Sequence, residues 1–457
     1  MPARAMSRTS TGKHRHTIRM TTSTNLMRQR RFLPLFLTQL LNALNDNLYK
    51  NAMVLFVVYQ VYDSPETETF ISGIATAVFV LPFVLFSATS GQLADMRDKA
   101  KIIRWIKLAE IIIMSVGAVG LVMAARGVSI ETLAIPLLFV ALFAMGVHST
   151  FFGPIKYAIL PQHLEKDEVL AGTGLVEAGT YVAILVGMML GGALPIMAST
   201  IAVVAIALVG YMICRWVPPA PPQTTETTVD WNPIRASRSL IAFSMGNPEL
   251  RYSVLAISFF WTIAAILSVQ FIPLAKNVLL ADKQVAAVML VAFSAGIAIG
   301  SVSINALLKG DISARYSAAS VLALGGFLIS FYLLCRIWNL TPAADLFTVG
   351  EFMVQPLALA LLANLVLIAV AGGMFVVPLY AFLTTRVEKH EASRSVAANN
   401  FISSVFMVVG AGVAGGLGFL GIPLQEQLLA SLILCLFSAQ LARRLHALEH
   451  QREPEFG

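Results

Sequence analysis

Long apolar stretches alternate with short polar connections along nearly the whole chain. Apolar runs of roughly 20 residues recur from Phe32 to Leu441, and each is long enough to cross a hydrocarbon core of about 30 Å as an α-helix. Barrel strands would be about ten residues long and would alternate in polarity, so the pattern predicts helices. The runs are approximately 32–61, 70–91, 102–125, 132–152, 169–195, 200–217, 252–274, 285–308, 314–338, 354–385, 395–420 and 424–443.

The composition agrees with an all-α membrane protein of about twelve transmembrane helices. Hydrophobic residues make up 57% of the chain and charged residues only 12%, whereas an ordinary soluble domain has about 25% charged residues. A lipid bilayer is therefore the expected solvent for most of the chain.

The longest connection divides the predicted helices into two groups of six. It is rich in proline and threonine, as expected of a linker. The two groups are weakly similar, because PIKYAIL from Pro154 resembles PLYAFL from Pro378 and the pair Gly191–Gly192 recurs at Gly415–Gly416 with the same offset. This repeat supports two parallel six-helix bundles of the kind found in major facilitator transporters. The predicted organisation is a basic tail (1–31), an N-terminal bundle (32–217), a linker (218–250), a C-terminal bundle (251–443) and a second tail (444–457).

The positive charges predict the orientation of the helices. With the N-terminus in the cytoplasm, both tails and the even-numbered connections carry most of the Lys and Arg, and the odd-numbered connections carry Arg126, Lys276 and Lys283. This is the asymmetry of the positive-inside rule, so both ends are predicted to be cytoplasmic. The formal net charge of +7 then needs no nucleic-acid partner. The first span is too long for the apolar region of a signal peptide.

The loop GQLADMRDKAK resembles the G-x-x-x-D-x-x-G-[RK] loop of the major facilitator superfamily. Gly91, Asp95, Arg97 and Lys99 occupy matching positions, and Asp98 replaces the second glycine. In that superfamily the loop holds the cytoplasmic side of the N-terminal bundle through charge pairing and helix-end contacts, so these four residues form a candidate conformational latch. The alternative is an ordinary solvated turn.

The first span carries the strongest candidate for a functional site within the membrane. Asn42, Asp46 and Lys50 recur every four residues and therefore share one face of a helix, and Asn45 widens the polar strip. Polar and ionisable groups are expensive in a bilayer, so this face must look into the bundle. It either lines a substrate cavity or forms a structural network between helices. Lys50 could pair with Asp46.

Four further polar residues are candidates for the cavity or its gating. Glu177 lies in the fifth span and fits either a head-group role or an internal salt bridge. Lys156 follows Gly153–Pro154 at the end of the fourth span, where its side chain could act on substrate or simply extend to the interface. In the C-terminal bundle Asn399 and Asn400 are the main candidates among non-ionisable polar residues, so that wall is expected to be mostly apolar.

Sequence motifs for other chemistry are absent. The chain has no G-x-x-x-x-G-K-[ST] phosphate loop, no H-E-x-x-H and no G-x-S-x-G motif. Its three cysteines are far apart, which disfavours a disulfide framework or a thiolate metal site. The sequence predicts no enzyme activity, no cofactor and no metal. Glu110 and Lys107, three residues apart, are expected to form a local ion pair.

Several segments together resemble the lysophospholipid transporter family of the major facilitator superfamily. They are RRFLPLFLTQLLNALNDNLYKNAMV from Arg30, FFGPIKYAILPQHL from Phe151, GLVEAGTYVAILVG from Gly174 and GGMFVVPLYAFLTTRV from Gly372. The first segment also resembles the transporter portion of bacterial fusions with an acyltransferase and an acyl-ACP synthetase. Those later domains are not found in this chain.

The resemblance implies a specific transport function. A member of this family would flip lysophospholipids from the outer to the inner leaflet of the inner membrane, for reacylation by a cytoplasmic acyltransferase, without ATP or a required ion gradient. We expect the chain to be a monomer. It implies that Asp46 is the buried first-span acid and Lys156 the lysine of the P-x-K-Y-x-I-L segment. Some members have an arginine in the seventh span where this chain has Ser268, which leaves Lys50 as the alternative partner of Asp46.

Two other functions stay open at this point. One is a proton-coupled major facilitator exporter of drugs or small metabolites, in which Asp46 or Glu177 would be the titrating carboxylate. The other is a membrane scaffold for lipid enzymes that transports nothing.

Overall fold

The computed structural model describes residues 23–57, 65–225, 228–338 and 346–452, so the outer parts of both predicted tails and residues 58–61 of the first predicted span lie outside the described residues. The side chains of Ser268 and Gly415 are not described either.

The described residues are mostly helical, with one isolated bridge between Ala281 and Phe347. The long helices are α1 (Leu33–Phe56), α2 (Pro65–Met96), α3 (Lys99–Ala125), α4 (Ile135–Ala158), α5 (Val169–Ala193), α6 (Ile196–Cys214), α7 (Pro248–Asn277), α8 (Lys283–Leu308), α9 (Ser317–Trp338), α10 (Pro356–Thr385), α11 (Ala392–Phe419) and α12 (Leu424–Arg452).

Shorter helices occupy some of the connections. Ser23–Leu26 precedes α1, a π-helical turn Ile130–Ala134 leads into α4, and Leu160–His163 follows α4. Val349–Met353 lies before α10. The predicted linker contains a 14-residue helix, Pro233–Gly246. The last predicted span ends at residue 443, and α12 continues beyond it to Arg452.

Eleven of the described helices are long and apolar enough to span a membrane, which confirms the predicted all-α membrane fold. The twelfth long helix, α1, has 24 residues and is therefore about 36 Å long. It falls outside the eleven because its asparagines, Asp46 and Lys50 lower its hydropathy. This helix carries the predicted site residues Asn42, Asn45, Asp46 and Lys50.

The helices pack in the same pattern in both halves of the chain. In the N-terminal half α1 packs on α5 and α6, α4 packs on α2 and α3, and α3 packs on α6. The C-terminal half repeats each pair six helices later, from α7 with α11 and α12 to α9 with α12. The main contacts between the halves are α2 with α11 and α5 with α8. The short PIKYAIL and PLYAFL repeat therefore reflects a repeat of the whole packing arrangement.

Local sequence determines where several helices begin. The side chains of Asp98, Asn247 and Asp282 accept hydrogen bonds from the first free backbone N–H groups of α3, α7 and α8. Such caps are typical of Asp and Asn. Proline at the first turns of α1, α4, α7 and α10 is equally favourable, because no intrahelical donor is lost there. These signals set the ends of the bundle and the positions of the loops.

The linker is packed against the end of the bundle at which α1 begins and α12 ends, here called the terminal face. Ala220 is fully buried, and its carbonyl accepts a hydrogen bond of 3.0 Å from the backbone N–H of Lys99. Its own N–H donates to the Asp98 carboxylate at 3.3 Å. Burial lowers the pKa of His163, so the neutral ring donates from Nε2 to the Pro219 carbonyl at 3.3 Å. The proline-rich segment is therefore part of the folded structure.

Candidate functional site

Asp46 is held on α1 by two donors that use the same carboxylate oxygen. Asn42 Nδ2 donates to Asp46 Oδ2 at 3.2 Å, and Ser149 Oγ from α4 donates to the same oxygen at 2.5 Å. The Asp46 residue is 6% exposed, and its Oδ1 has no hydrogen-bond partner among the described residues. One oxygen is thus fixed by the protein and the other is available as an acceptor.

Lys156 lies among the buried carboxylates of the N-terminal half. It stands two residues after Pro154 on α4, and its Nζ is 4.8 Å from the centre of the Tyr157 ring, a cation–π distance. It interacts electrostatically with Glu177 on α5 and with Asp46 on α1. Within the described part of the chain no ion pair shorter than 4 Å joins Lys156 to either acid. The structure therefore brings the three predicted ionisable residues into one group without direct pairing.

Glu177 is the least satisfied member of this group. It is only 1% exposed, and its Oε2 has no hydrogen-bond partner among the described residues. A buried carboxylate without a close partner is costly. Such a group is a candidate for contact with a ligand, a proton or water.

Lys50 points away from Asp46 toward α2. Its Nζ lies 5.6 Å from the centre of the Phe79 ring, although Asp46 still acts on it electrostatically. No ion pair shorter than 4 Å links Lys50 with Asp46 among the residues that the structure describes. A Lys50–Asp46 pair is therefore not formed in this structure.

An aromatic bridge, consisting of Tyr157, Tyr181, Trp261 and Tyr380, connects the two halves beside this group. The rings of Tyr157 (α4) and Tyr380 (α10) stack with centroids 4.6 Å apart, and those of Tyr181 (α5) and Trp261 (α7) stack at 6.2 Å. Trp261 Nε1 donates to the Tyr380 hydroxyl at 2.8 Å, and Asn399 Nδ2 donates to it at 3.5 Å. The tyrosines of the PIKYAIL and PLYAFL repeat thus meet face to face between the halves.

The two asparagines predicted on α11 have different surroundings. Asn399 is fully buried and joins the aromatic bridge through Tyr380. Asn400 packs against the backbone of α4, where a Cβ added at Gly153 would lie 2.7 Å from Asn400 Nδ2. Asn399 therefore belongs to the group around Lys156, and Asn400 belongs to the closely packed contact between α4 and α11.

Asn45 belongs to a separate polar network inside the N-terminal half. Its Nδ2 donates to Glu110 Oε1 at 2.8 Å and to the Val203 carbonyl at 3.1 Å. Glu110 also forms the predicted ion pair with Lys107, which is confirmed, and both side chains are fully buried. His148 Nε2 lies 3.5 Å from Glu110 Oε2. The structure therefore places Asn45 away from the group around Lys156.

The predicted latch joins α2 to the first turn of α11 at the terminal face. The Asp95 carboxylate accepts hydrogen bonds of 3.0 Å from the backbone N–H groups of Ser393 and Arg394. These N–H groups have no partner within α11, and the positive end of the helix dipole favours an anion there. Asp95 thus acts as a cap supplied by the opposite half.

The other latch residues contribute in different ways. A Cβ at Gly91 would lie 2.6 Å from Ala397 Cβ and 3.2 Å from Arg394 Cα, so α2 can approach α11 only with glycine here. Lys99 is fully buried and interacts electrostatically with Asp95 and Asp98. The Arg97 side chain is exposed. Asp98, which replaces a glycine of the superfamily motif, caps α3.

We expect Gly91→Val to open the terminal face. Overpacking a close contact costs about 1–3 kcal/mol, which would shift the equilibrium away from the closed arrangement by roughly five- to 150-fold. The measurement is the rate of maleimide labelling at Ala158→Cys, a buried position in the seam, with the three native cysteines replaced by alanine. Gly326→Val is the matched control, because a Cβ there meets nothing within 4 Å. Equal labelling of both variants would contradict the expectation.

No three His, Cys, Asp or Glu side chains converge as a metal site anywhere in the described part of the chain. The arrangement instead combines one lysine with two acids, and its neighbours are hydroxyl, amide and aromatic groups. The chemistry that this permits is recognition of charged or zwitterionic groups and exchange of protons. The aromatic bridge and Ser149 were missed from the sequence, although the repeated tyrosines offered a signal.

Comparison with known proteins gives the chain a family context. The model of the Major Facilitator Superfamily matches residues 35–411. Proteins named lysophospholipid transporter LplT from Escherichia coli (strain K12 / DH10B) and Escherichia fergusonii are each 26% identical over 395 residues. The aligned region covers 84% of this chain and 88% of each relative. These relatives confirm the resemblance that was predicted from the sequence segments.

Solved structures share the fold at low sequence identity. A bacterial homologue of the iron transporter ferroportin in an outward-facing state superposes with a TM-score of 0.69 at 14% identity, covering 92% of this chain and 100% of that one. The human organic anion transporter MFSD10 (TETRAN) gives a TM-score of 0.70 at 14% identity, covering 90% and 99%. The major facilitator transporter FucP in the outward conformation gives 0.64 at 13% identity, covering 91% and 98%. These likenesses confirm the fold.

Proposed function

Because this chain belongs to the major facilitator superfamily, we propose that it is a lysophospholipid transporter of the bacterial inner membrane. It acts as a flippase that moves lysophospholipids from the outer to the inner leaflet. There a cytoplasmic acyltransferase or acyl-ACP synthetase reacylates them. The names of the curated relatives support this substrate class. In this proposal the chain is a monomeric transporter and carries out no chemistry of its own.

The observation that carries the proposal is that Lys156 interacts with two buried carboxylates without pairing directly with either of them. Lys156 interacts electrostatically with both Glu177 and Asp46 and is paired directly with neither. A phosphate group would find a cation in Lys156, and an amine would find acceptors in Glu177 Oε2 and Asp46 Oδ1, which have no hydrogen-bond partner among the described residues. The group is therefore complementary to a zwitterionic head group such as phosphoethanolamine.

The C-terminal half offers the apolar surface that the acyl chain of the same molecule requires. A small gap between its helices is lined by apolar side chains, among them Phe260, Leu267 and Phe293. It contains no charged lining residue. A polar N-terminal wall facing an apolar C-terminal wall matches an amphiphile with one head group and one tail.

The charge distribution supports a cytoplasmic terminal face. The first described helix begins and the last ends on this side, and most Lys and Arg of the described residues lie here too, as the positive-inside rule requires of cytoplasmic segments. The hydrogen bonds from the first turn of α11 to Asp95 join the two halves at this face, and in this proposal they hold it closed. A closed cytoplasmic side fits a conformation that receives its substrate from the outer leaflet.

Transport in proteoliposomes tests the proposal. Vesicles containing the purified chain should move labelled lysophosphatidylethanolamine between leaflets faster than protein-free vesicles, with no ATP and no ion gradient. Vesicles containing Lys156→Met, which removes the cation of the site, are the protein-containing control. A rate equal to that of empty vesicles would exclude the flippase.

One observation favours the alternative of a proton-coupled exporter. Glu177 and Asp46 are buried carboxylates with free oxygens, and such groups carry protons in many membrane transporters. The same vesicles, now with an imposed proton gradient, separate the two functions. Lysophospholipid movement that stops when a protonophore collapses the gradient, and that Asp46→Asn equally abolishes, would support coupling to protons. Movement that is insensitive to the protonophore supports the flippase.

A further inference from the structure

The linker helix Pro233–Gly246 has two apolar sides, and the bundle covers only one of them. Ala236, Leu240 and Ser244 recur every four residues and are buried. Ala236 and Leu240 pack on Ala88 of α2 and on Ala397 and Ala398 of α11. This side fixes the helix across the seam at which the two halves meet.

The outward side carries a second apolar stripe with a positive charge inside it. Ile234, Arg238 and Ile241 stand at positions i, i+4 and i+7, which share one face of a helix. Ile234 is 81% exposed and Ile241 is 39% exposed. Trp231, just before the helix, is 71% exposed. Large apolar side chains held outward in this way indicate an interaction surface.

The position of the helix places this surface at the boundary of the bilayer. The helix ends at Gly246, and after Asn247 the spanning helix α7 begins at Pro248. Asn247 is extended and caps α7 through the N–H groups of Glu249 and Leu250, so the chain turns sharply between the two helices. The linker helix therefore lies at the level where α7 enters the membrane.

Exposed tryptophans mark the same level elsewhere on the terminal face. Trp105 lies about two turns inside α3 from its terminal-face end and is 71% exposed, and Trp216 lies just beyond the end of α6 and is 65% exposed. Tryptophan is enriched at membrane–water interfaces. Trp231 continues this set of aromatic residues onto the linker.

The charges of the helix select one kind of lipid. The segment Pro233–Gly246 contains two arginines and no acid. Arg235 is neutralised by Asp230, which accepts its Nε and a terminal N–H at 2.6 Å and 2.8 Å. Arg238 is exposed and has no ion-pairing partner in the described part of the chain. Its stem can lie along the apolar stripe while its guanidinium reaches lipid phosphates.

We propose that the helix Pro233–Gly246 docks its Ile234, Arg238 and Ile241 face into the head-group region of the bilayer and recognises anionic phospholipid there. The occupant is the lipid surface in which the chain itself is embedded. The opposite side of the helix contacts α2 and α11 next to the Asp95 latch. One helix therefore touches both the lipid surface and the contact between the two halves.

Site-directed spin labelling of the full chain in nanodiscs tests this docking. Nitroxides are placed at Ile234→Cys and, separately, at Ile241→Cys, with Cys214, Cys335 and Cys435 replaced by alanine. Ser239→Cys is the matched control, because Ser239 is exposed on a different side of the same helix. In phosphatidylglycerol nanodiscs we expect both isoleucine positions to be accessible to oxygen and shielded from a water-soluble nickel reagent, and position 239 to be accessible to the nickel reagent.

The charge requirement is measured with Arg238→Gln. One cationic side chain near an anionic surface changes the docking equilibrium by roughly fivefold, so the variant should raise nickel access at position 234 in phosphatidylglycerol to the level found in phosphatidylcholine. Equal nickel access at positions 234 and 239 would overturn the proposal. Shielding of position 234 from both reagents would overturn it too, because a protein surface would then cover the helix. Equal nickel access at position 234 in phosphatidylglycerol and in phosphatidylcholine would exclude recognition of anionic lipid.

Discussion

Lys156→Met is expected to slow lysophospholipid transport by roughly 10- to 100-fold while leaving the protein folded. A hydrogen bond to a charged group contributes about 1.5–3 kcal/mol, and each 1.4 kcal/mol corresponds to a factor of ten. Methionine preserves the length of the side chain and removes its charge. The substitution therefore removes the lysine that interacts electrostatically with both Glu177 and Asp46.

Transport by Lys156→Met is measured in the proteoliposomes described above, beside the unmodified chain. Lys166→Met is the matched control, since Lys166 is an exposed lysine in a loop of the terminal face and its loss should leave the rate unchanged. Thermal unfolding in detergent shows whether each variant is folded. Equal transport rates for Lys156→Met and Lys166→Met would show that Lys156 does not contribute to transport. The main support for head-group recognition would then be lost.

The sequence predicts the site to the extent that its members share one helix. Asn42 and Asp46 are one turn apart on α1, and the structure joins them by a hydrogen bond. Asn45 is also within a turn of both, yet its amide bonds to Glu110 on α3 and to Val203 on α6. The polarity of a helix is visible in its sequence, whereas the neighbour that each polar residue meets depends on how distant helices pack.

The latch was predictable for a different reason. Its residues lie in one short loop whose spacing resembles a superfamily motif, so Gly91 and Asp95 were identified without knowledge of their partners. The role of Asp95 as a cap of α11 depends on the first turn of that helix, almost 300 positions away along the chain. Arg97 matches the same motif and is nevertheless exposed.

The aromatic bridge shows what a weak repeat can and cannot predict. Tyr157 and Tyr380 occupy equivalent places in PIKYAIL and PLYAFL, and their rings stack between the halves. Residues related by an internal repeat meet where the repeat axis passes between the two bundles. The similarity in sequence indicated the repeat, but the position of that axis follows only from the packing of α4 and α10.

Glu110→Gln is expected to destabilise the protein by about 3–5 kcal/mol, and Glu177→Gln is expected to have little effect on stability. Glu110 and Lys107 form a fully buried ion pair, and removing one partner of such a pair leaves an uncompensated buried charge. Glu177 has no cation within 4 Å among the described residues, and its Oε2 makes no hydrogen bond. Neutralising Glu177 therefore breaks no direct contact of that oxygen.

Thermal unfolding in detergent and transport in proteoliposomes should rank these two variants in opposite orders. Glu110→Gln should unfold at a much lower temperature, and its surviving folded fraction should transport at a normal rate. Glu177→Gln should unfold near the temperature of the unmodified chain and transport poorly. Adding Lys107→Met to Glu110→Gln removes the stranded charge and should recover much of the lost stability, because a buried pair can often be replaced by uncharged residues at little cost. Failure of this recovery would show that Glu110 stabilises the bundle through Asn45 and His148 rather than through Lys107.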